Sequence, residues 1–468
     1  MKNKILNIVF ISILLFLVLS LSNCRKQKLI TSNDAKLNFS TDTLLFDTIF
    51  TTIGSTTKYF KLYNNNNGTI NISSILLGQG TNSQFRINVN GDEGVSFNNI
   101  ELQANDSIFI FVEVTIDPNN STSPLVAEDS IMFFTNGNTQ KVVLNAWGQD
   151  AYFHVNEIIT QNETWNNDKP HVIYNYCIVD STFELTIPAG TKVHSHANAT
   201  LLVYKSSLFV NGVLGNPVVF QQDRMEDYLL YSADSTSGQW RGIYFYQANN
   251  SYISYTEIKN ATIGIQIDTA SSNQTVLLNS VKINNSLYAN ILTQGANVSA
   301  VNCLFANAGS YSAYISIGGN VNFEQCTFSN YWQSSRNAPL FIFKDYYEAS
   351  SSYQYRPFTS AQFTNCIFYG LNDSEFAMDT LGRSFTGEVP IVNFTSSLIK
   401  SEDPVTNIEF FTNCYLNNDP SFIDPSLWDF NIPISSFVVD KGSISTIVID
   451  IDGNARTNAN DLGCYEAN

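Results

Sequence analysis

Only 14% of the 468 residues are charged, and basic residues are the scarcer kind: 24 Lys and Arg stand against 41 Asp and Glu, a formal net charge of -17. No nucleic acid is expected as a partner, because a polyanion is held by a basic surface that this chain cannot build. Proline is sparse at 12, and there are only four histidines and four methionines. What is plentiful is uncharged. Hydrophobic residues make up 44%, enough for a folded chain and too many for a disordered one. Asn reaches 56, beside 33 Phe and 23 Tyr. Asn, Ser and Thr favour turns, whereas aromatic and β-branched residues favour strands. The length suits several domains or one long repeat array.

Lys2 and Lys4 precede an apolar run from Ile5 to Leu21, which stops at Leu21-Ser22-Asn23-Cys24. A charged start followed by an apolar segment of this length reads as an export signal, with an uncleaved membrane-spanning helix as the alternative. Leu21, three positions before Cys24, resembles the lipobox of bacterial lipoproteins, with Asn23 bulkier than the Gly or Ala usual there. The resemblance implies that residues 1–23 are a lipoprotein signal peptide and that Cys24 carries the lipid. Residues 24–35 then form a tether at the outer membrane, on its periplasmic or surface-exposed face. Removal of residues 1–23 takes Lys2 and Lys4 and no acid, moving the formal charge from -17 to -19. Such a body is repelled by anionic headgroups, so the acyl chains would hold it at the membrane.

Between residues 36 and 152 short alternating stretches are separated by turn residues: Thr57 to Tyr63, Thr69 to Ile75, and Ser107 to Ile116 ending at Asp117-Pro118. Period-2 alternation bounded by Asn, Gly and Pro predicts a β-sandwich. The segment resembles immunoglobulin-like modules of bacterial surface proteins and of abnormal-spindle and hydin type domains. The resemblance rests on Phe60-Lys-Leu-Tyr-Asn64, Asn105-Asp-Ser-Ile108 and the paired stretches Ile131 to Gly137 and Val142 to Gly148. It implies a spacer or a binding module.

From about Trp165 the texture changes. Six segments share a pattern of Thr, Val or Cys, then Ile, Leu or Phe two residues on, then Asn or Gly two residues further. They start at Thr256, Val281, Cys303, Cys326, Cys366 and Cys414, at intervals of 25, 22, 23, 40 and 48. The first three intervals match one rung of a parallel β-helix; the last two read as two rungs, or one with an insertion. Val392 to Lys400 repeats the pattern of Val321 to Ser329 and puts Ser397 on a rung between Cys366 and Cys414. Alternation turns the first and third pattern positions inward together. Cys303, Cys326, Cys366 and Cys414 would stack in one file beside a second file of Ile258, Ile283, Phe305, Phe328, Phe368 and Leu416, about 4.8 Å apart per rung. Such cysteines act as small buried hydrophobes rather than disulfide partners. The fifth position, usually Asn, is expected at a turn in left-handed conformation, with amides bonded from rung to rung.

Leu185-Thr-Ile-Pro-Ala-Gly-Thr191, Leu208 to Gly215, Asn216 to Phe220 and Gln239 to Ile243 resemble the opening rungs of bacterial right-handed parallel β-helix proteins. Asp419-Pro-Ser-Phe422, Asp440-Lys-Gly442, Asp452 to Arg456 and Asp461 to Glu466 resemble the closing segment of the same group. The resemblance implies a right-handed parallel β-helix of pectate-lyase-like fold over residues 160–466, with a C-terminal cap. That group includes polysaccharide lyases, glycoside hydrolases and adhesins, so fold alone does not select a function.

Catalytic signals are thin. The Asn-Thr-Asp, Asp-Asp and Gly-His-Gly set that resemblance to a polygalacturonase requires is missing, and the repeat strands are read as carrying Thr, Asn, Ser and Gln outward instead of stacked carboxylates. No catalytic residue, metal-ligand set or cofactor is assigned. Asp223, Glu226, Asp227 and Trp240 are candidates to line a groove, with a solvated loop as the alternative for the acids. His194-Ser-His196 has a spacing that can suit zinc or copper, but with no Cys or acidic ligand nearby it is read as a polar surface pair. Asp450-Ile-Asp452-Gly-Asn454 looks like half a calcium loop or an end turn. The expectation is an all-β cell-envelope lipoprotein, an immunoglobulin-like β-sandwich followed by a right-handed parallel β-helix. It would bind a polysaccharide or a surface protein without catalysis; a polysaccharide lyase or glycoside hydrolase with a nonstandard site is the alternative.

Overall fold

The computed structural model describes residues 28–51, 54–117, 125–224, 235–269, 273–349, 352–381, 391–403, 409–456 and 460–467. The chain is all-β and falls into two compact units, Met1–Gln149 and Asp150–Asn468. Among the described residues no helix is long and apolar enough to cross a membrane. The apolar run from Ile5 and Cys24 lie outside them.

The first unit has two five-stranded sheets sharing one core. One orders Asn38–Phe39, Lys58–Asn64, Asp106–Val114, Phe85–Val89 and Asp92–Gly94; the other orders Thr43–Phe50, Asn138–Gln149, Leu125–Thr135, Ile70–Leu77 and Ser96–Leu102. Alternation decides which side chains enter. Lys58–Asn64 buries Phe60 and Leu62 and leaves Tyr59 outside. In Ile70–Leu77 an irregularity between Ile72 and Ser74 shifts the inward series from Ile72 to Ile75. The unit takes hold of the chain early. Ile30 N donates to Thr69 O at 2.9 Å, Thr69 N to Lys28 O at 3.1 Å, and Ala35 is buried, so part of segment 24–35 is already docked.

The second unit is built on a 24-stranded sheet whose pairings are all parallel and skip along the chain, beside a two-stranded antiparallel pair, Tyr346–Ala349 with Ser352–Tyr355. Thr200–Tyr204 is followed by Ser207–Asn211 and Val218–Gln222, and then by Gly242–Tyr246, which pairs back onto Thr200–Tyr204. The chain therefore winds, and each turn adds a strand to three flanks. The first flank holds 157–159, 176–179, Thr200–Tyr204, Gly242–Tyr246, Ile263–Asp268, 289–294, 311–316, Phe341–Lys344 and Phe376–Asp379. The second runs from Glu163–Thr164 through Ser207–Asn211 to Phe411–Thr412, and the third from 152–155 through Val218–Gln222 to Tyr415–Leu416.

Inward files fill the interior. Ile258, Ile283, Phe305, Phe328 and Phe368 pair in sequence on the third flank, with Phe305 and Phe328 stacked at 5.0 Å and Phe328 and Phe368 at 4.9 Å. Phe323, Phe363 and Phe394 stack likewise on the second flank at 5.4 and 4.7 Å. Cys303, Cys326 and Cys366 are fully buried free thiols, and Cys414 is half-buried and free. Burial holds the Cys303 and Cys326 thiols well above the usual thiol range. Ser397 fills its place in that file, its Oγ accepting from Cys366 N at 3.1 Å. The interval of 40 is one turn with an insertion, since Thr327 pairs directly with Ile367; the interval of 48 is two turns, through Leu398.

Left-handed residues make the corners. Between third and first flanks stand Asn156, Asn175, Asn198, Asn260, Asn285 and Asn307, with φ from 52° to 63°. The expected fifth-position asparagines are thus found at Asn260, Asn285 and Asn307, whereas Asn330 and Gly370 lead into loops without a positive φ. Between second and third flanks, Tyr255, Ser280, Asn302, Gln325, Asn365, Ser396 and Asn413 all have positive φ, each immediately before the first pattern position.

The tail corrects two expectations. Outward positions of the third flank are not uniformly polar: Leu304, Ala306, Ile367 and Leu398 are buried there against Phe422, Phe430, Ile432, Val438, Leu462 and Cys464. The C-terminal segment therefore covers a flank rather than only an end. Asn302 Nδ2 donates to Ile449 O at 2.8 Å and Asn365 Nδ2 to Ser443 O at 2.9 Å, while Lys282 pairs with Asp452 at 2.7 Å. Asp450 accepts from Asp452 N at 2.9 Å and Asn454 N at 2.7 Å, so Asp450 to Asn454 is used as a turn.

Candidate functional site

With the third flank covered, the outward rows of the first flank gather the most varied chemistry. Register sets the rows. One reads Leu202, Tyr244, Gln266, Leu292, Tyr314, Ile342 and Ala377; the next reads Tyr204, Tyr246, Asp268, Gln294, Ser316, Lys344 and Asp379. Tyr204 and Tyr246 are stacked at 5.9 Å, 3° from parallel. Tyr244 Oη donates to Asp268 Oδ2 at 2.9 Å and Gln266 Nε2 donates to the same oxygen at 2.8 Å. Asp268 Oδ1 is buried without a partner among the described residues, and burial raises this carboxyl above the usual range. Burial also raises the Tyr244 hydroxyl, helped by its bond to Asp268.

Farther along, Lys344 Nζ lies 3.1 Å from Asp379, and Tyr346 Oη donates to Asp379 at 2.6 Å. Burial works against the Lys344 ammonium, but its hydrogen bonds to Asp379 and Tyr346 outweigh it and raise its pKa. Asp268 and Asp379 are four pairings apart, about 19 Å at the strand spacing. Paired-carboxylate glycosidases need about 5 to 9.5 Å, so these two acids do not make such a pair.

A second cluster holds the groove candidate Asp223. Its Oδ2 meets His196 Nδ1 at 2.7 Å and accepts from Tyr174 Oη at 3.3 Å, and the Tyr174 ring stacks on His196 at 4.3 Å. Burial, then Asp223, raises the Tyr174 hydroxyl. A carboxylate that fixes one imidazole nitrogen leaves the other available for proton transfer. Glu226 and Asp227 lie outside the described residues. Trp240 lines no groove: it is 0% exposed in the interior, its Nε1 donating to Lys259 O at 2.8 Å. An indole there fills core volume while its polar edge is satisfied by backbone. His194 is not a surface partner of His196 either, being buried with Nδ1 at 2.9 Å from Gln222 O.

The first two turns hold a third cluster that the sequence did not bring together. His154 contacts Glu157 through Nδ1 and lies 2.8 Å from His171 Nδ1 through Nε2; His171 Nε2 lies 2.7 Å from Asn166 O. Trp165 stacks on both imidazoles at 4.3 Å. Burial lowers His171 to about 4 and raises the Cys177 thiol. In the first unit, exposed Tyr59, Phe109 and Phe111 form an aromatic patch, with Tyr59 and Phe109 5.3 Å apart and Lys61 over Phe109 at 4.6 Å.

No family model and no curated protein matches the chain. Among solved structures, a family 123 glycoside hydrolase from Clostridium perfringens matches at 9% identity over 24% of this chain and 26% of its own, with a TM-score of 0.17. PapD-like domain 7 of human CEP192, an ASH/PapD-like domain, matches at 11% identity over 26% of this chain and 87% of its own, also at 0.17. Likeness at that level carries no argument about this protein's fold or activity.

Proposed function

We propose that this chain is a cell-envelope lipoprotein, anchored through Cys24, whose first unit is an immunoglobulin-like spacer and whose second is a right-handed parallel β-helix that binds a glycan along its first flank without cleaving it. The observation that carries the reading is the row of Tyr204, Tyr246 and Asp268: two parallel rings for sugar faces, then a polar group of Tyr244, Gln266 and Asp268 held together by hydrogen bonds. Aromatic bodies with polar tips suit a ligand that is apolar on its ring faces and wet at its edges. The wide separation of Asp268 and Asp379 supports binding over two-carboxylate hydrolysis.

A catalytic reading rests on a different observation, the Asp223 and His196 pair, which would make His196 a proton-transfer group for a polysaccharide lyase or hydrolase. A protein partner is favoured by the Tyr59, Phe109 and Phe111 patch, since exposed aromatic clusters are common at interfaces. A polysaccharide array with analysis of products separates these readings. Binding with intact polymer supports the proposal, while shortened or unsaturated products that vanish in His196→Ala would replace it.

A further inference from the structure

We infer that His154, Glu157 and Cys177 form a binding site for a borderline-soft divalent cation of the zinc class, built into the first two turns of the wound sheet. One ligand atom from each, an imidazole nitrogen, a carboxylate oxygen and a thiol sulfur, lies within 4.8 Å of the others. A cation with ligand distances of about 2.0 to 2.3 Å spans such a set after small side-chain adjustment. Register creates the grouping. Glu157 pairs with Cys177 on the next turn, so their side chains leave neighbouring strands on the same side, and His154 pairs with buried Ile173. Sequence alone conceals this, because a spacing of 20 residues between Glu157 and Cys177 has meaning only once it is one turn of the winding.

The hydrogen-bond pattern around His154 points the same way. A carbonyl oxygen can only accept, so the His171 Nε2 facing Asn166 O carries a proton. The other nitrogen of neutral His171 is then an acceptor, and His154 Nε2 donates to it. That leaves His154 Nδ1 as the ring atom facing Glu157. An imidazole nitrogen, a carboxylate oxygen and the buried thiol of Cys177 thus converge on one point. Donation of the far imidazole N–H to a fixed acceptor is also how metal-binding histidines are commonly oriented. Here that orientation is reinforced by Trp165 stacking on both rings.

The donor set selects the class of ion. Nitrogen, carboxylate and thiolate together suit zinc or cobalt(II), whereas calcium and magnesium seek oxygen alone. Binding would displace the proton of Cys177. Three protein ligands leave a fourth position, and Glu157, with a side chain 36% exposed, marks the side open to solvent.

The test uses purified protein treated with chelator and titrated with cobalt(II), followed by zinc(II) as competitor. The expected result is one equivalent of cobalt bound with a thiolate-to-cobalt charge-transfer band, displaced by zinc and lost in Cys177→Ser. Glu157→Gln, at a partly exposed position, should weaken cobalt binding about tenfold or more and shrink the rise in melting temperature that zinc gives the unaltered protein. Folded protein that shows no thiolate band at stoichiometric cobalt overturns the inference. So does a band that persists unchanged in Cys177→Ser, or a zinc-induced rise that Glu157→Gln leaves intact.

Discussion

The side-chain amide of Asn285 donates to that of Asn260 on the preceding turn at 2.7 Å, and Asn260 donates to Gln222 at 2.9 Å. At the start of the winding, Asn175 donates to Asn156 at 3.0 Å. All four of these asparagines are left-handed corner residues. Asn meets two demands at once, since it tolerates positive φ better than other residues with a Cβ and its amide both donates and accepts.

Two substitutions at Asn260 separate those demands. Asn260→Gly keeps the backbone conformation and loses the amide, which should cost about 1 kcal/mol. Asn260→Ala adds left-handed strain of about 1 to 2 kcal/mol. Thermal melts should therefore rank the parent above Asn260→Gly and Asn260→Gly above Asn260→Ala; equal losses would refute the corner account.

Glu375 is fully buried, pairs with Arg336 and accepts from Leu340 N and Asn372 N at 2.9 Å each. It pins the insertion that follows Asn330 to the winding. Removing one partner of a buried pair costs about 3 to 5 kcal/mol. Glu375→Ala should lower stability by that order in chemical denaturation, and a loss under about 1 kcal/mol would assign the pair the modest worth of a surface salt bridge.

How much of this was legible in sequence depends on what each signal encodes. The third-flank repeat was readable because Cys303, Cys326 and Cys366 mark the inward position and recur near one-turn spacing before the insertion. The corner just before the cysteines is Asn302, Asn365 and Asn413 at Cys303, Cys366 and Cys414, with Gln325 at Cys326, and it stands one residue ahead of the five-residue pattern. The first-flank rows were hidden. Tyr246, Asp268, Gln294 and Lys344 share no residue type, and only pairing across turns aligns them. Trp240, a groove candidate by sequence, fills the interior instead, because one sequence position does not tell which side of a strand faces the core.

Histidine burial predicts a pH response. Burial lowers His194 from its ordinary 6.5 to about 4. Between those values the unfolded chain binds the proton and the folded one does not, so stability falls as pH drops from 6.5 toward 4 and is unaffected by this group above 6.5. Melting temperature should decline across that window, and His194→Asn should flatten the decline; an identical slope in the variant would exclude His194 as its source.

Arg456 fastens the tail, with Nη2 2.9 Å from Asn302 Oδ1 and 3.0 Å from Gly463 O, and Nη1 3.1 Å from Glu466. Arg456→Ala should make the segment after Asp419 the first site of limited proteolysis, followed by mass spectrometry, because Leu304, Ile367 and Leu398 lose their cover. Cleavage unchanged from the parent would mean that apolar contact alone holds the tail.

The most direct test of glycan binding on the first flank is calorimetric titration of the best array ligand into three proteins: the parent, Tyr246→Ala, and Asn322→Ala on the second flank. Loss of a stacking ring should weaken affinity about tenfold or more, corresponding to about 1.4 kcal/mol, while Asn322→Ala binds like the parent. Equal affinity in Tyr246→Ala and the parent would contradict the assignment of the site to Tyr204, Tyr246 and Asp268.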